Sequence, residues 1–360
     1  MIPVSKLTNA DDFSKYIRNP SAVLIDVRSP SEFAEDHIPG AINLPVLNDA
    51  ERAEVGTIYK NNPFHAKQKG ARLISRNISI LLETVENLSL NFSLRDAEFL
   101  VYCWRGGMRS RSLFTVMDLI GYRTRILDGG YKAYRKKVME YFNSGLNQEF
   151  IILHGPSGSG KSELIRLLKS EGHPAVDLEE IANHRGSALG FLGEQPSQKF
   201  FESELFSELY RWKKSPFIMM EGESRKIGRL HLPDFFYKKM LHSRKLWVEL
   251  PPEIRAERLA EQYNAPAEIL LENLKRIRKY LHSDAFRKIE ELIMEGNRKK
   301  AAEILLSEHY DRFYRVHFNP GKREDFFCRF YSDSFESLLE EITGFTEKYS
   351  AEKKLSFSAV

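Results

Sequence analysis

The chain alternates short apolar runs with amphipathic stretches. Ala22 to Val27 and Glu98 to Tyr102 read as buried strands, because continuous apolar runs of this length suit a sheet covered on both faces. Ser31 to Asp36 reads as a short helix capped by Ser31. Pro39-Gly40 marks a turn before the apolar stretch Ala41 to Leu44. After Gly106-Gly107, residues Leu113, Val116, Met117 and Ile120 recur on one helical face, and Gly121 closes that helix. Asp128-Gly129-Gly130 is the next turn and leads into a helix over Tyr131 to Tyr141. A polar break at Asn143-Ser144-Gly145 precedes a second series of strands, Phe150 to Leu153, Ala175-Val176, Phe217 to Met220 and Leu246 to Leu250.

Strands separated by helices predict an α/β protein with parallel, doubly wound sheets. Residues 1–144 form an N-terminal parallel-sheet domain and residues 145–264 a central α/β domain core. Residues 265–360 read as a helix-rich, basic C-terminal region that packs on or completes the central domain, with a frayed tail from Glu352. No internal repeat is present. The length of 360 residues fits this division at about 150 residues per domain.

Composition narrows the classes. Apolar residues at 42% and charged residues at 29% exclude a collagen-like or largely disordered chain. Lys and Arg number 54 against 50 acids, a net +4, so a nucleic-acid footprint has to be local. Two cysteines, Cys103 and Cys328, are too few for a disulfide scaffold or a Cys-rich zinc site. The first residues carry no apolar leader core, and no run reaches about 18 apolar residues. The expectation is a cytoplasmic protein without a membrane partner.

Gly155-Pro-Ser157-Gly158-Ser159-Gly160-Lys161-Ser162 fits G-x-x-x-x-G-K-S between an apolar strand and an amphipathic helix. Its backbone amides and the helix N-terminus suit phosphate oxygens. Lys161 supplies a mobile charge, and Ser162 is the residue that would hold magnesium. The loop reads phosphates and not a base, so it leaves the compound open. Glu221 ends a strand where a magnesium-organising acid often sits, although Asp is the usual residue. Glu223, Arg225 and Asp177 share the carboxyl edge of that sheet, where ligands of open α/β sheets bind. Mutual pairing or solvation of these charges is the competing explanation.

Cys103-Trp-Arg105-Gly106-Gly107-Met-Arg109-Ser110 also runs from a buried strand into a helix. Backbone amides and a helix N-terminus stabilise a thiolate there, and Arg105 and Arg109 add positive charge. This is the setting of a covalent nucleophile. Sulfurtransferases carry sulfur on such a cysteine, and cysteine phosphatases carry phosphate with an Arg closing C-x-x-x-x-x-R. Cys103 to Arg109 has that spacing, so the loop alone leaves both open.

Leu24-Ile-Asp-Val-Arg28, Glu32-Phe33, His37 to Pro45 and Asp128-Gly-Gly130 resemble the signposts of a rhodanese domain. Together with Asn48 to Gly56, Cys103 to Ser110, Gly155 to Ser162, Asp177-Leu-Glu179, His184 to Ser187, Glu221 to Arg225, Ile227-Gly228 and Glu257-Arg-Leu259, the chain resembles the tRNA 2-selenouridine synthase family. The resemblance runs from near residue 20 to near residue 263 and is loose beyond. It implies replacement of sulfur by selenium in wobble 2-thiouridine of tRNA. The sulfur is first geranylated from geranyl diphosphate, and selenium from selenophosphate then displaces the thiogeranyl group. Cys103 is implied as the selenium carrier, as a selenopersulfide, and the Gly155 to Ser162 loop as the diphosphate site. No tightly bound cofactor is implied, and an enzyme supplying selenophosphate is an implied partner.

His184 and Arg185 are candidates for the anticodon loop or the diphosphate. Phe191, Leu192, Phe200 and Phe201 are candidates for a geranyl trough, with core packing as the simpler explanation. Arg276, Arg278, Lys279, Arg287, Lys288, Arg298, Lys299 and Lys300, interleaved with Tyr280 and His282, are candidates for tRNA binding. A solvated helix face, balanced by Glu290, Glu291 and Glu295, is the alternative. Two competing functions remain at this point. One is a sulfurtransferase or cysteine phosphatase coupled to an ATP-binding loop, and the other is a non-catalytic RNA-binding adaptor.

Overall fold

Continuous apolar strands dictate two parallel sheets, each in its own compact unit. The structure, a computed structural model, describes residues 3, 6–9, 12, 15–17, 19, 21–91, 97–184, 194–262, 265–312 and 326–357. The first unit comprises Met1–Leu146 and Ser197–Ser207, and the second Asn147–Pro196 and Glu208–Val360.

In chain order the first unit holds β1 (Leu7–Thr8), β2 (Ala22–Asp26), α1 (Pro30–Glu35), β3 (Ile42–Asn43), α2 (Asp49–Asn61), α3 (Pro63–Asn91), β4 (Glu98–Tyr102), α4 (Met108–Leu119), β5 (Arg123–Leu127) and α5 (Gly130–Ser144). The sheet order is β1-β5-β4-β2-β3 with every pair parallel. Ile25, Phe99 and Val101 of the strands, and Val27 just after β2, pack with Leu113 and Met117 of α4 and with Leu73, Ile78 and Val85 of α3. The helical spacing of α4 is therefore observed, except that Ile120 falls just past the helix and is 60% exposed. The cap of α1 is Ser29 and not Ser31. Glu32 returns the capping-box bond to the Ser29 amide, while Ser31 bonds Asp49. The long helix α3 had no counterpart in the strand-and-helix reading of the sequence.

The second unit continues with β6 (Glu149–His154), α6 (Lys161–Ser170), β7 (Ala175–Val176) and α7 (Leu178–Ala182). Helix α8 (Gln198–Arg211) starts in the first unit, and the second resumes with β8 (Phe217–Glu221), β9 (Lys226–Ile227), β10 (Leu230–His231), α9 (Asp234–Leu241) and β11 (Arg244–Glu249). It ends with α10 (Pro252–Gln262), α11 (Ala267–Ile277), α12 (Ser283–Met294), α13 (Arg298–Leu305), β12 (Cys328–Tyr331) and α14 (Phe335–Phe357). The parallel sheet order is β12-β11-β6-β8-β7. The helix-rich region 265–360 also carries an edge strand of this sheet, Cys328–Tyr331. One expectation for it needs correction. The tail is helical through Phe357, because Leu338, Ile342 and Tyr349 anchor α14 to the sheet core.

One close approach fixes the loop after β4. Gly130 has φ +59, and a Cβ there would collide with the Cys103 carbonyl and lie 2.6 Å from the Gly106 nitrogen. The same segment donates Tyr131 N–H to Cys103 O at 2.9 Å and Lys132 N–H to Trp104 O at 3.0 Å. Replacing Gly130 with Ala is expected to destabilise the protein by about 3 kcal/mol, from backbone strain plus overpacking. Gly121→Ala, also at positive φ but with open space around it, is expected to cost about 1 kcal/mol. Urea unfolding of the two variants checks the contrast.

Candidate active site

Cys103 directly follows strand β4, and its side chain is buried. The Gly107 amide donates to its Sγ at 3.3 Å, and Ser110 Oγ lies 3.3 Å from the same sulfur and 3.2 Å from Gly107 O. Gly106 takes φ +66, which turns the chain so that α4 begins with Gly107 as its N-cap. The sulfur thus sits at a helix start, with one amide donating to it and one hydroxyl in contact with it.

Arg105 is exposed beside the loop, whereas Arg109 is half-buried. Arg109 donates to Glu32 at 2.6 Å, and Arg52 lies 3.6 Å from the same carboxylate. Burial disfavours the Glu32 charge. The bond and charge of Arg109, the Ser29 amide and Arg52 outweigh it and hold this carboxyl below the usual range. Glu32, Arg52, Asp49 and Ser31 line an open polar cavity of about 410 Å³. Trp104 is 40% exposed and tilted against Tyr131 at 5.3 Å between ring centroids.

Beneath this surface lies a buried polar network. Arg28 forks onto Asp26 and stacks 4.0 Å from the Tyr131 ring. Tyr131 donates to Asp36 at 2.5 Å, and Ser203 donates to the same carboxylate at 3.2 Å. Burial raises the Asp36 carboxyl despite these donors and the nearby arginines. These groups brace α5, whose first residues cradle the cysteine loop.

The second loop has its own close approaches. A Cβ at Gly155 would collide with Val248 O of β11, and one at Gly158 would sit 2.7 Å from Arg255 O. Gly158 and Gly160 take positive φ, and Gly160 caps α6. Lys161 Nζ donates to Gly155 O at 2.8 Å and to Pro156 O at 3.3 Å. Ser157 O accepts from Arg255, which also forks onto Asp311. Ser159 is fully buried. The Ser162 hydroxyl donates to Glu179 at 2.8 Å.

Carboxylates crowd the strand ends beside this loop. Glu221 accepts the Leu178 and Glu179 amides at 2.8 and 3.0 Å, and Asp177 caps α7 through the Glu180 amide. Burial, with Asp177, Glu179 and Glu223 nearby, drives Glu221 far above the usual carboxylate range. Burial chiefly raises Asp177 to about 6. Glu223 is pushed up to about 8 by burial and by Glu179, against the pull of Lys161. Burial, with Lys245 and Lys161, drops His154 to about 3. Arg225 is exposed and pairs with Asp234. Among the described residues, no group of three or more His, Cys, Asp or Glu is arranged as a metal shell.

Other sequence candidates are placed as follows. His184 is half-buried just after α7, while Arg185, Phe191 and Leu192 lie outside the described residues. Phe201 is in the core, and Phe200 packs on His37 at 4.3 Å. Arg276, Arg287, Lys288 and Lys299 each pair with an acid, respectively Glu272, Asp284, Glu291 and Glu257. Arg278 lies over Phe286, Lys279 over Tyr280, and Arg298 donates to Ala265 O. Lys300 is exposed, and Tyr280 is exposed and stacks on His309.

Three contributors escaped the sequence reading as site residues. Glu32 stands in the sequence as one of the rhodanese signposts, with nothing to show its partner Arg109, 77 residues away. Ser110 closes the Cys103 to Ser110 motif, with no role assigned to it there. Arg255, which contacts the phosphate loop from α10, carries no local signal at all.

A family model described as the tRNA 2-selenouridine synthase AAA domain matches residues 148–343. A rhodanese-like domain model matches residues 9–137. A tRNA 2-selenouridine synthase of Bdellovibrio bacteriovorus is 38% identical over 249 residues, covering 67% of this chain and 64% of its own length. The chain thus spans less than two thirds of that relative. The synthase of Pseudomonas syringae pv. syringae is 30% identical over 340 residues, covering 85% of this chain and 91% of its own. Among solved structures, the N-terminal domain of a putative ATP/GTP binding protein from Clostridium difficile 630 is 36% identical with a TM-score of 0.33, covering 37% of this chain and 99% of its own. With its rhodanese domain and its phosphate-loop domain both matched, the chain belongs to the tRNA 2-selenouridine synthase family.

Proposed function

We propose that this protein replaces the sulfur of wobble 2-thiouridine in tRNA with selenium, by way of a geranylated intermediate, and works in the cytoplasm. The observation that carries the reading is the presence in one chain of two backbone-built anion loops, only one of which bears a nucleophile. In the first reaction the thiocarbonyl sulfur attacks the first carbon of geranyl diphosphate, and the C–O bond breaks. The amides of residues 155–162 and the start of α6 take the diphosphate, and Lys161 turns from the loop carbonyls to the departing charge. Ser162 and Glu179 would hold a magnesium ion, an oxygen donor pair of the kind that ion takes beside phosphates; the ion would offset diphosphate charge.

Alkylation converts a poor leaving group into a good one. In the second reaction selenium from selenophosphate bonds to C2 of the base, geranylthiol leaves, and water takes the phosphoryl group as phosphate. Cys103 serves this step, with the Gly107 amide, Arg105 and Arg109 holding the anion. Trp104 offers a ring face at the mouth on which a splayed base can stack. The basic segment from α11 to α13, with the turn between α11 and α12, supplies the tRNA surface through Arg276, Arg278, Lys279, Arg287, Lys288, Arg298, Lys299 and Lys300, and a selenophosphate-producing enzyme supplies the donor.

Mass spectrometry of wobble nucleosides tests the reading, with geranyl diphosphate, selenophosphate and magnesium omitted in turn. Cys103→Ala is expected to retain geranylation and lose selenation. Lys161→Ala is expected to slow the geranyl step about 100-fold. Unchanged selenation in Cys103→Ala overturns the role of the thiol, and turnover that needs ATP but no tRNA supports the sulfurtransferase or phosphatase alternative.

A pH dependence follows from Glu223. Its value in the folded protein, about 8, stands above its ordinary 4.5. The folded state therefore keeps a proton that the unfolded state loses, and stability falls as pH rises through that window. Above about pH 8 the carboxylate ionises beside Lys161. Inorganic diphosphate binding is expected to weaken severalfold between about pH 7 and 9 relative to Glu223→Gln, as calorimetry of both proteins would measure.

A further inference from the structure

The loop after β4 has a nucleophile, an arginine at the seventh position counted from it, and a hydroxyl directly after that arginine. We propose that Cys103 attacks the phosphorus of selenophosphate, so that the loop is a phosphoryl-accepting site and selenium leaves it as hydrogen selenide. The inference rests on the reading above and changes the selenopersulfide that family resemblance implies.

Electron balance separates the two routes. Selenium in selenophosphate and in the 2-selenouridine product is at the same oxidation level. Selenium bound to sulfur in a selenopersulfide is more oxidised by one electron pair. Making it from selenophosphate requires either an oxidant or the release of phosphite, and using it requires a reductant. Attack at phosphorus needs neither. The Cys103 thiolate forms an S–P bond, the P–Se bond breaks, and its electron pair leaves on selenide. Selenide then adds to C2 of the base as geranylthiol departs, and water cleaves the S–P bond to give phosphate and the free thiol.

The geometry suits that order. The Gly107 N–H donates to Sγ at 3.3 Å and steadies the sulfur before attack, and the Ser110 hydroxyl, 3.3 Å from Sγ and donating to Gly107 O, turns to the sulfur as it is expelled from the phosphocysteine. Glu32 engages Arg109 mainly through one terminal nitrogen, at 2.6 Å, with the other at 3.5 Å. A guanidinium has further donors in a fixed plane, so the contact orients Arg109 and leaves N–H groups for phosphoryl oxygens. Glu32 is thus a positioning residue. Its carboxyl is held ionised by Arg109 and the Ser29 amide, which suits an anchor and not a proton donor.

Thiophosphate is the probe, labelled with radioactive phosphorus in one arm and radioactive sulfur in the other, and rapidly quenched with the full-length protein. Wild type is expected to release labelled phosphate. Ser110→Ala is expected to slow that release about tenfold and to hold the phosphorus label on the Cys103 peptide. Cys103→Ser is expected to give neither label. Arg109→Lys, which keeps the charge and loses the planar fork, is expected to raise the KM for thiophosphate about tenfold. Thermal unfolding of each variant reports its folding. Sulfur label without phosphorus on Cys103 overturns the proposal in favour of sulfur transfer. Absence of both labels from Ser110→Ala, while wild type selenates tRNA, overturns it as well. In both cases a selenation defect in Cys103→Ala still upholds the functional reading, so the two fail separately.

Discussion

The absence of a β-carbon at one position in each unit underlies both loops. Gly130 presses its backbone against the Cys103 carbonyl, and Gly155 presses against the Val248 carbonyl. In each case a strand end is drawn against a neighbouring backbone, and the chain that follows must curl tightly before its helix begins. Amides that would otherwise point to solvent are thereby gathered at a helix N-terminus, where they favour an anion. Side chains refine these loops, but the cradle is a backbone object. It exists because each parallel sheet, within its own unit, ends its strands at the edge where the following helices begin.

Charge is then set against charge. Arg109 is oriented by Glu32, and Lys161 lies over the carbonyls of its own loop. Neither cation is presented as a loose side chain that an anion would have to order. The opposite imbalance develops at the strand ends of the second unit, where burial raises the Asp177, Glu221 and Glu223 carboxyls and the charge of Glu179 adds to the shift of each. Protonation, or an arriving cation, relieves that repulsion. This gives the phosphate-loop unit a pH sensitivity through Glu223, whereas Glu32 beside the cysteine loop is held ionised by Arg109.

The sheets were legible because their strands are continuous apolar runs, and the two loops because glycines, lysine and cysteine stand at fixed spacing after such runs. What escaped lay in long-range pairing. The cap of α1 went to Ser29 because its reciprocal partner is Glu32, three residues on, whereas Ser31 was drawn to Asp49. Strand β12 was missed because Cys328 to Tyr331 is short and follows a helical region, and it is held by pairing with β11 and by Cys328 and Phe330 packing on the sheet core. The basic residues of α11 to α13 were legible as a cluster, and Arg276, Arg287 and Lys288 pair with acids three or four residues away on their own helices, whereas Lys299 takes Glu257 from α10, a partner that sequence spacing does not announce.

The two cradles differ in one atom that decides their chemistry. The loop at residues 155–162 offers amides and an ammonium but no nucleophile, so it can stabilise a departing diphosphate and cannot form a covalent bond to it. The loop at residues 103–110 places a sulfur where the anion would otherwise sit deepest, with an amide and a hydroxyl on that sulfur. A bound phosphoryl compound there meets a nucleophile as well as a cradle. On the proposed reading this division matches what each leaving group requires. An allylic diphosphate departs once its charge is offset, whereas the Se–P bond releases selenide only when phosphorus is given another partner, and Cys103 is the atom placed to provide it.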